Sequence, residues 1–121
     1  MRMRRPSAAR NWSDMVDDFV IEPREVHAMM QKGAKFLLLD CREPWENQTA
    51  YIEGATMIPM RQIPQKLHDI PKDQLVVVYC HAGVRSFDSA TWLRQQGVDA
   101  VSMSGGIDRW SMEIDPKVPR Y

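Results

Sequence analysis

Two continuous apolar runs stand out in the pattern of hydrophobic and polar positions along the chain. Residues 36–39 read Phe-Leu-Leu-Leu and are followed by Asp40, and residues 75–79 read Leu-Val-Val-Val-Tyr and are followed by Cys80. Unbroken apolar runs of this length are typical of strands buried on both faces, as in a parallel sheet covered by helices. Shorter strands are predicted at residues 20–21, 56–58 and 98–102.

Helical spacing appears between these predicted strands. Helices are predicted from Pro23 to the stop at Gly33, and at residues 61–68, 86–96 and 107–112. The helix at 86–96 is the clearest, because Phe87, Ala90 and Leu93 fall on one face. Strands that alternate with helices indicate an α/β domain with a mainly parallel sheet.

Length and charge exclude several classes of protein. A chain of 121 residues fits one domain, and its 16 basic residues balance its 16 acidic ones, so we expect no nucleic-acid partner. No apolar run approaches the ~18 residues of a membrane span, so we expect no membrane partner. The two cysteines and three scattered histidines lack the spacing of a metal site, so no metal is expected.

The N-terminal residues differ from the rest of the chain. Residues 1–18 begin with an arginine-rich stretch that contains no acidic residue, and we predict that they form a basic, flexible segment ahead of a domain at residues 19–121. Two cysteines are too few for a disulfide framework. The chain is therefore predicted to be a cytoplasmic protein with reduced thiols.

The connection after the second apolar run carries the strongest candidate for chemistry. Cys80 follows a buried strand directly, and Gly83 lies in the short loop before the predicted helix at Ser86. In open α/β sheets, ligands bind at the carboxyl ends of strands, where helix N-termini direct N–H groups into one small space. Gly83 permits a tight curl of the backbone, so this loop is predicted to bind an anion.

A thiolate at Cys80 is the group that such a loop would stabilise. Amide donors and the positive end of a helix lower the pKa of a cysteine, and Arg85 adds a fixed positive charge. The thiolate is the attacking form, so no histidine is needed as a general base. The alternative is a buried apolar cysteine at a strand end. Gly83, Arg85 and Ser86 favour the nucleophile over that alternative.

Four motifs in order resemble those of the rhodanese family. They are Asp40-Cys41-Arg42-Glu43-Pro44-Trp45-Glu46, Ile52-Glu53-Gly54-Ala55 with Ile58-Pro59, Cys80-His81-Ala82-Gly83-Val84-Arg85-Ser86, and Gly105-Gly106 with Trp110. The resemblance extends over residues 20–114 and implies a three-layer α/β sandwich, with helices on both faces of a five-stranded, mainly parallel sheet.

The resemblance also implies a sulfurtransferase of the thiosulfate type. A sulfane sulfur would pass from a small donor to Cys80 as a persulfide, and then to a thiol, to cyanide or to a protein that accepts sulfur. No cofactor is implied besides this covalent persulfide. Arg85 would support the loop and attract an anionic donor. The residues whose amides would cradle the sulfur are His81, Ala82, Gly83, Val84 and Arg85.

Asp40, Arg42 and Ser86 are predicted to support the loop from its surroundings. In one interpretation Asp40 anchors Arg85, and Arg42 adds positive potential. In the other, which we prefer, these residues form ion pairs that brace the loop, because such networks are common without catalysis. Glu46 is interpreted as a cap for backbone amides rather than as an acid or base.

Cys41 directly follows the first buried strand, where a small apolar residue is expected. We interpret it as a packing residue, because buried cysteines are mostly inert. The alternative is a thiol that resolves the Cys80 persulfide or forms a disulfide with Cys80. That alternative requires the two Cα atoms to lie within ~7 Å of each other.

Two other functions use related sequences. Phosphatases and arsenate reductases on this fold need five residues between cysteine and arginine, and here four residues separate Cys80 from Arg85. The loop is thus one residue short for a tetrahedral oxyanion and fits a sulfur atom better. A non-catalytic interaction module would not need the cysteine, which this chain retains. A sulfur carrier for a dedicated partner protein stays open as an alternative.

Overall fold

The computed structural model describes residues 19–121, so the prediction for residues 1–18 lies outside the described part of the chain. The strands are β1 (Val20–Ile21), β2 (Phe36–Asp40), β3 (Thr56–Met57), β4 (Leu75–Tyr79) and β5 (Ala100–Met103). They form one sheet in the order β1-β5-β4-β2-β3, and every pair of neighbours is parallel. The five predicted strands are confirmed to within one or two residues at their ends.

The connections between the strands are helical. The α-helices are α1 (Pro23–Gln31), α2 (Pro44–Thr49), α3 (Val84–Gln95) and α4 (Gly106–Glu113), and two 3-10 segments lie at Met60–Gln62 and Pro64–Asp69. Within residues 19–121, no helix is long and apolar enough to cross a membrane.

The central strand β4 shows why its apolar run is continuous. All five of its residues are buried, and they alternate between two core clusters on the two faces of the sheet. Val77 and Tyr79 belong to the cluster that α1 and α4 cover, whereas Val76 and Val78 belong to the cluster that α3 covers. The three-layer α/β sandwich implied by the resemblance is therefore confirmed.

Two local predictions need correction. The helix predicted at residues 61–68 is replaced by two 3-10 segments, because Pro64 lacks the N–H group that a continuous helix would use. Phe87 was predicted to face inward and is instead 38% exposed. The buried face of α3 consists of Ser86, Ser89, Ala90 and Leu93, and Phe87 is rotated out of that line.

Helix α2 was not predicted from the sequence. It has only six residues, too few to show an apolar period. Its signal is polar: Pro44 occupies the first turn, and the side chains of Glu43 and Glu46 form a capping box with the backbone. The pattern of start signals could have identified this helix where the hydrophobic pattern could not.

The register of the sheet places the candidate residues side by side. β2 and β4 are neighbours, and Asp40 pairs with Tyr79. The next residues along the two strands are Cys41 and Cys80, and the Cys41 N–H donates to the Tyr79 carbonyl at 3.1 Å. The carboxyl ends of β2 and β4 therefore lie side by side, next to the loop that follows Cys80.

Candidate active site

The Cys80 sulfur is surrounded by donors from the start of α3. Gly83 precedes the helix with φ of 107°, a left-handed conformation that turns its N–H group inward. That N–H lies 3.1 Å from Cys80 Sγ, and the N–H of Ser86 lies 3.3 Å from it. The side chain of Cys80 is only 1% exposed. The geometry is that of a small pocket for one anionic sulfur atom.

Ser86 contributes its side chain as well as its amide. Ser86 Oγ lies 3.4 Å from Cys80 Sγ and 2.7 Å from Ser102 Oγ. When Cys80 is ionised it has no proton to give, so the Ser86 hydroxyl must donate to the sulfur. Ser102, on β5, is then available to donate to Ser86 Oγ. This chain of hydroxyls ties the loop to the neighbouring strand.

These contacts favour the thiolate over the thiol. The neighbouring Cys41 thiol is the largest influence, and together with the donors from Ser86 and Gly83 it lowers the pKa of Cys80 to about 5. Burial acts in the opposite direction, because a charge is poorly solvated in the core. At neutral pH the nucleophilic form of Cys80 therefore predominates.

The N-terminus of α4 is hydrogen-bonded to the loop that follows Cys80. The N–H groups of Ile107 and Asp108 donate to the carbonyls of Cys80 and His81 at 2.9 and 3.1 Å. Gly106 permits this approach, since a Cβ there would meet both of these carbonyl oxygens. In the sequence, Gly106 was identified only as part of a family motif, whereas the structure shows its close contact with the active loop.

Arg85 is held by Glu46, and not by Asp40 as one interpretation of the sequence required. Its two terminal nitrogens lie 2.7 and 2.8 Å from the two carboxylate oxygens of Glu46. The Arg85 guanidinium is the main reason that the pKa of Glu46 is lowered to about 2. Glu46 also accepts a hydrogen bond from the Glu43 N–H at 2.9 Å, in agreement with its predicted capping role.

Asp40 instead forms a buried pair with Arg42. Both side chains are 0% exposed, and Arg42 donates to the two Asp40 oxygens at 2.8 and 2.7 Å. Arg42 also donates to the Ala50 carbonyl at 2.7 Å, and the Tyr79 hydroxyl donates to Asp40 at 3.1 Å. Because Arg42 is fully buried and paired, it braces the sheet end and presents no charge at the mouth of the loop.

Tyr121 links the Asp40–Arg42 pair to the Glu46–Arg85 pair, and this role was not predicted from the sequence. Its hydroxyl accepts from Arg42 at 2.8 Å and donates to Glu46 at 2.9 Å. Its ring stacks on His81, with the ring centroids 4.2 Å apart. No local pattern could have found this residue, because its partner Arg42 lies 79 positions away in the chain.

The bridging hydroxyl of Tyr121 is expected to stabilise the protein measurably. In Tyr121→Phe, the stacking on His81 remains, while Arg42 and Glu46 each lose one hydrogen bond. We expect the free energy of unfolding in urea to fall by about 1 kcal/mol. The matched variant Tyr51→Phe removes a hydroxyl from a side chain that is 54% exposed and should change it by less than ~0.5 kcal/mol. Equal effects would contradict a structural role for the bridge.

The remaining predicted residues lie at the surface of the same loop. His81 and Ala82 follow Cys80 in the turn, and Val84 begins α3 with 72% of its surface exposed. Within residues 19–121, the His, Cys, Asp and Glu side chains form no group of three or more that could hold a metal ion. The described part of the chain thus brings together a cysteine, backbone amides and hydroxyls.

Comparison with known families agrees with the fold of this chain. The model of the rhodanese-like domain family matches residues 22–113. A rhodanese-like domain protein from Staphylococcus aureus superimposes with a TM-score of 0.75 at 28% identity, covering 85% of this chain and 98% of that one. A protein from Staphylococcus saprophyticus gives 0.74 at 29% identity, covering 84% and 98%.

Curated relatives carry names from sulfur chemistry. The putative sulfurtransferase YtwF of Bacillus subtilis is 36% identical over 88 residues, which are 73% of this chain and 85% of that protein. The probable adenylyltransferase/sulfurtransferase MoeZ of Mycobacterium tuberculosis is 36% identical over 104 residues. These residues are 84% of this chain, and they span only 26% of MoeZ.

Proposed function

The chain belongs to the rhodanese-like domain family, and on this basis we propose that it is a sulfurtransferase in which Cys80 carries sulfane sulfur as a persulfide. The single observation that carries the proposal is the buried Cys80 sulfur, with the N–H groups of Gly83 and Ser86 at 3.1 and 3.3 Å. A preorganised set of donors stabilises an anion at a fixed place without further reorganisation. Such a site suits a thiolate that must attack and later leave.

The reaction we propose has two displacements at sulfur. The Cys80 thiolate attacks the outer sulfur of a donor such as thiosulfate, an S–S bond forms, and sulfite leaves with the electron pair of the broken bond. An acceptor thiolate or cyanide then attacks the outer sulfur, and Cys80 leaves as the thiolate. Each step conserves charge and needs no external oxidant or cofactor. Arg85, although paired with Glu46, keeps positive charge near the loop for the anionic donor.

The size of the loop supports sulfur over phosphate. Helix α3 begins at Val84, so only three residues lie between Cys80 and the helix, and Gly83 and Ser86 already donate to the sulfur itself. A phosphate ester needs a wider ring of amides around its three free oxygens. We therefore do not favour phosphatase or arsenate reductase activity.

The surface around the loop supports a protein as the final acceptor. Trp45 and Val84 are 60% and 72% exposed, and large exposed apolar side chains beside a reactive group suit a docking partner. MoeZ, of which this chain matches a part, bears the name adenylyltransferase/sulfurtransferase and so contains more than this domain.

Two free thiols suit a reducing compartment, which is the support for a cytoplasmic location.

Mass spectrometry of the intact protein tests the proposal. We expect incubation with thiosulfate to add one sulfur atom, and cyanide to remove it with release of thiocyanate. Removal of the bound sulfur is then compared for three acceptors, which are cyanide, a small thiol and a reduced protein thiol. No sulfur adduct from thiosulfate or from a small-molecule persulfide would disprove the carrier role. A persulfide formed only from the second donor would reject the thiosulfate type while keeping the sulfurtransferase.

A further inference from the structure

We propose that Cys41 is a second functional thiol of this site. The Cys41 S–H group donates a hydrogen bond to the Cys80 thiolate and so keeps Cys80 in its attacking form. Cys41 is thereby a positioning residue rather than a carrier of sulfur. The consequence for catalysis rests on the proposed function. The acidity of Cys80, however, can be measured without any sulfur transfer, so the two proposals can fail separately.

The sheet register puts the two thiols next to each other. Asp40 and Tyr79 are paired in neighbouring parallel strands, and the Cys41 N–H continues the ladder to the Tyr79 carbonyl at 3.1 Å. Neighbouring parallel strands lie about 4.8 Å apart, and residues in register point their side chains to the same face. Cys41 and Cys80 belong to the same core cluster and are each 1% exposed. Water therefore cannot replace a hydrogen bond between them.

The buried hydroxyl of Ser89 is part of the environment of Cys41. Ser89 is 4% exposed, and its Oγ has no hydrogen-bond partner among the described residues. The Ser89 hydroxyl nevertheless acts on the Cys41 thiol, and its effect is to lower the pKa of that thiol. Ser89 follows Ser86 by three positions on α3, so the two hydroxyls lie on one face of that helix. Thus α3 places one hydroxyl where it acts on each thiol.

The distribution of donors decides which thiol is ionised. Two adjacent buried thiolates would repel each other, so the pair holds a single negative charge. Cys80 has hydrogen bonds with two amides and with the Ser86 hydroxyl, whereas the Ser89 hydroxyl that acts on Cys41 makes no hydrogen bond among the described residues. Its bond to Cys80 and its burial raise the pKa of Cys41 far above the usual range. Cys41 therefore keeps its proton and can only donate.

Two other charged groups act on this pair of thiols. Asp40, at the end of β2, disfavours a thiolate at Cys41, and Arg85, at the start of α3, attracts negative charge on either sulfur. Asp40 is paired with Arg42, and Arg85 is paired with Glu46. A substitution at Cys41 leaves both pairs in place. A change in the acidity of Cys80 in such a variant is therefore attributable to the lost thiol.

The test is the pH dependence of Cys80 alkylation in two variants of Cys41. Cys41→Val keeps an apolar side chain but removes the donor, whereas Cys41→Ser keeps a donor. The rate with iodoacetamide is followed by mass spectrometry of the peptide that contains Cys80. We expect a midpoint near pH 5 in the original chain, a midpoint about one unit higher in Cys41→Val, and one close to the original in Cys41→Ser. Below the midpoint, Cys41→Val should react about tenfold more slowly.

Each other outcome rejects the donor role. Equal midpoints in all three proteins would make Cys41 a packing residue, and a serine variant shifted as far as the valine variant would assign the effect to packing changes. Thermal unfolding shows whether the variants are folded, and Cys41→Ala replaces Cys41→Val if the larger side chain disrupts the core. If the chain loaded with sulfur released hydrogen sulfide and ended two hydrogens lighter than the reduced chain, Cys41 would have attacked the inner sulfur of the Cys80 persulfide to form a Cys41–Cys80 disulfide, and the proposal would be overturned.

Discussion

We expect the Cys80→Ser variant to take up no sulfur from thiosulfate and to lose at least about a thousandfold in transfer rate to cyanide. The serine hydroxyl stays protonated under conditions in which the donors from Gly83 and Ser86 keep the Cys80 thiol ionised. Oxygen also cannot form the S–S bond that stores the sulfane sulfur. The measurement is the mass of the intact protein after incubation with thiosulfate, together with the rate of thiocyanate release.

The matched control for this variant is Cys41→Ser. It removes the other thiol of the chain and retains a hydroxyl donor beside Cys80, so sulfur uptake should persist. A sulfur adduct on Cys41 in the Cys80→Ser protein would contradict the assignment of Cys80 as the carrier. Because both side chains are almost fully buried in one cluster, the substitutions are similar in their effect on packing.

The second large effect is expected at Gly106. In Gly106→Ala, the new Cβ would lie 2.5 Å from the Cys80 carbonyl oxygen and closer still to that of His81. Backbone atoms on both sides cannot move without breaking the hydrogen bonds from α4 to the active loop. We expect the free energy of unfolding in urea to fall by about 3 kcal/mol. The displaced loop should also slow alkylation of Cys80 at neutral pH.

Gly33→Ala separates the close contact from backbone strain. Both glycines have a positive φ, 61° at Gly106 and 71° at Gly33, but a Cβ at Gly33 has nothing within 4 Å. Gly33→Ala should therefore cost only about 1 kcal/mol, which is the penalty for a side chain in the left-handed region. If both variants lost the same stability, the close approach of α4 to the loop would not be needed.

The strands were predictable because their signal is local. β2 and β4 are buried on both faces, so every position must be apolar and the run is continuous in the sequence. The short 3-10 segments and α2 depend on proline and on capping contacts rather than on an apolar stripe. The pattern of hydrophobic positions therefore missed α2 and merged the two 3-10 segments into one helix.

Within the candidate site, the sequence located the loop but not its partners. Cys80, Gly83 and Ser86 lie within seven residues, so a strand end and a helix start already bring them together. The partner of Arg85 is Glu46, 39 positions away, whereas the sequence had suggested Asp40 and assigned Glu46 only a capping role. Asp40 ends β2 and Glu46 lies in α2, and only the three-dimensional placement of these elements relative to α3 selects between the two carboxylates.

The sequence by itself determined the parallel α/β fold, the position of Cys80 at the end of a central strand and the amide-rich turn after it, since these depend on neighbouring residues. The tertiary structure alone decided that Glu46 holds Arg85, that Tyr121 joins it to Arg42, and that Cys41 lies beside Cys80. The reason is geometric. Ion pairs and thiol contacts need atoms within a few ångströms of each other, and the packing of strands and helices sets those distances between residues far apart in the chain.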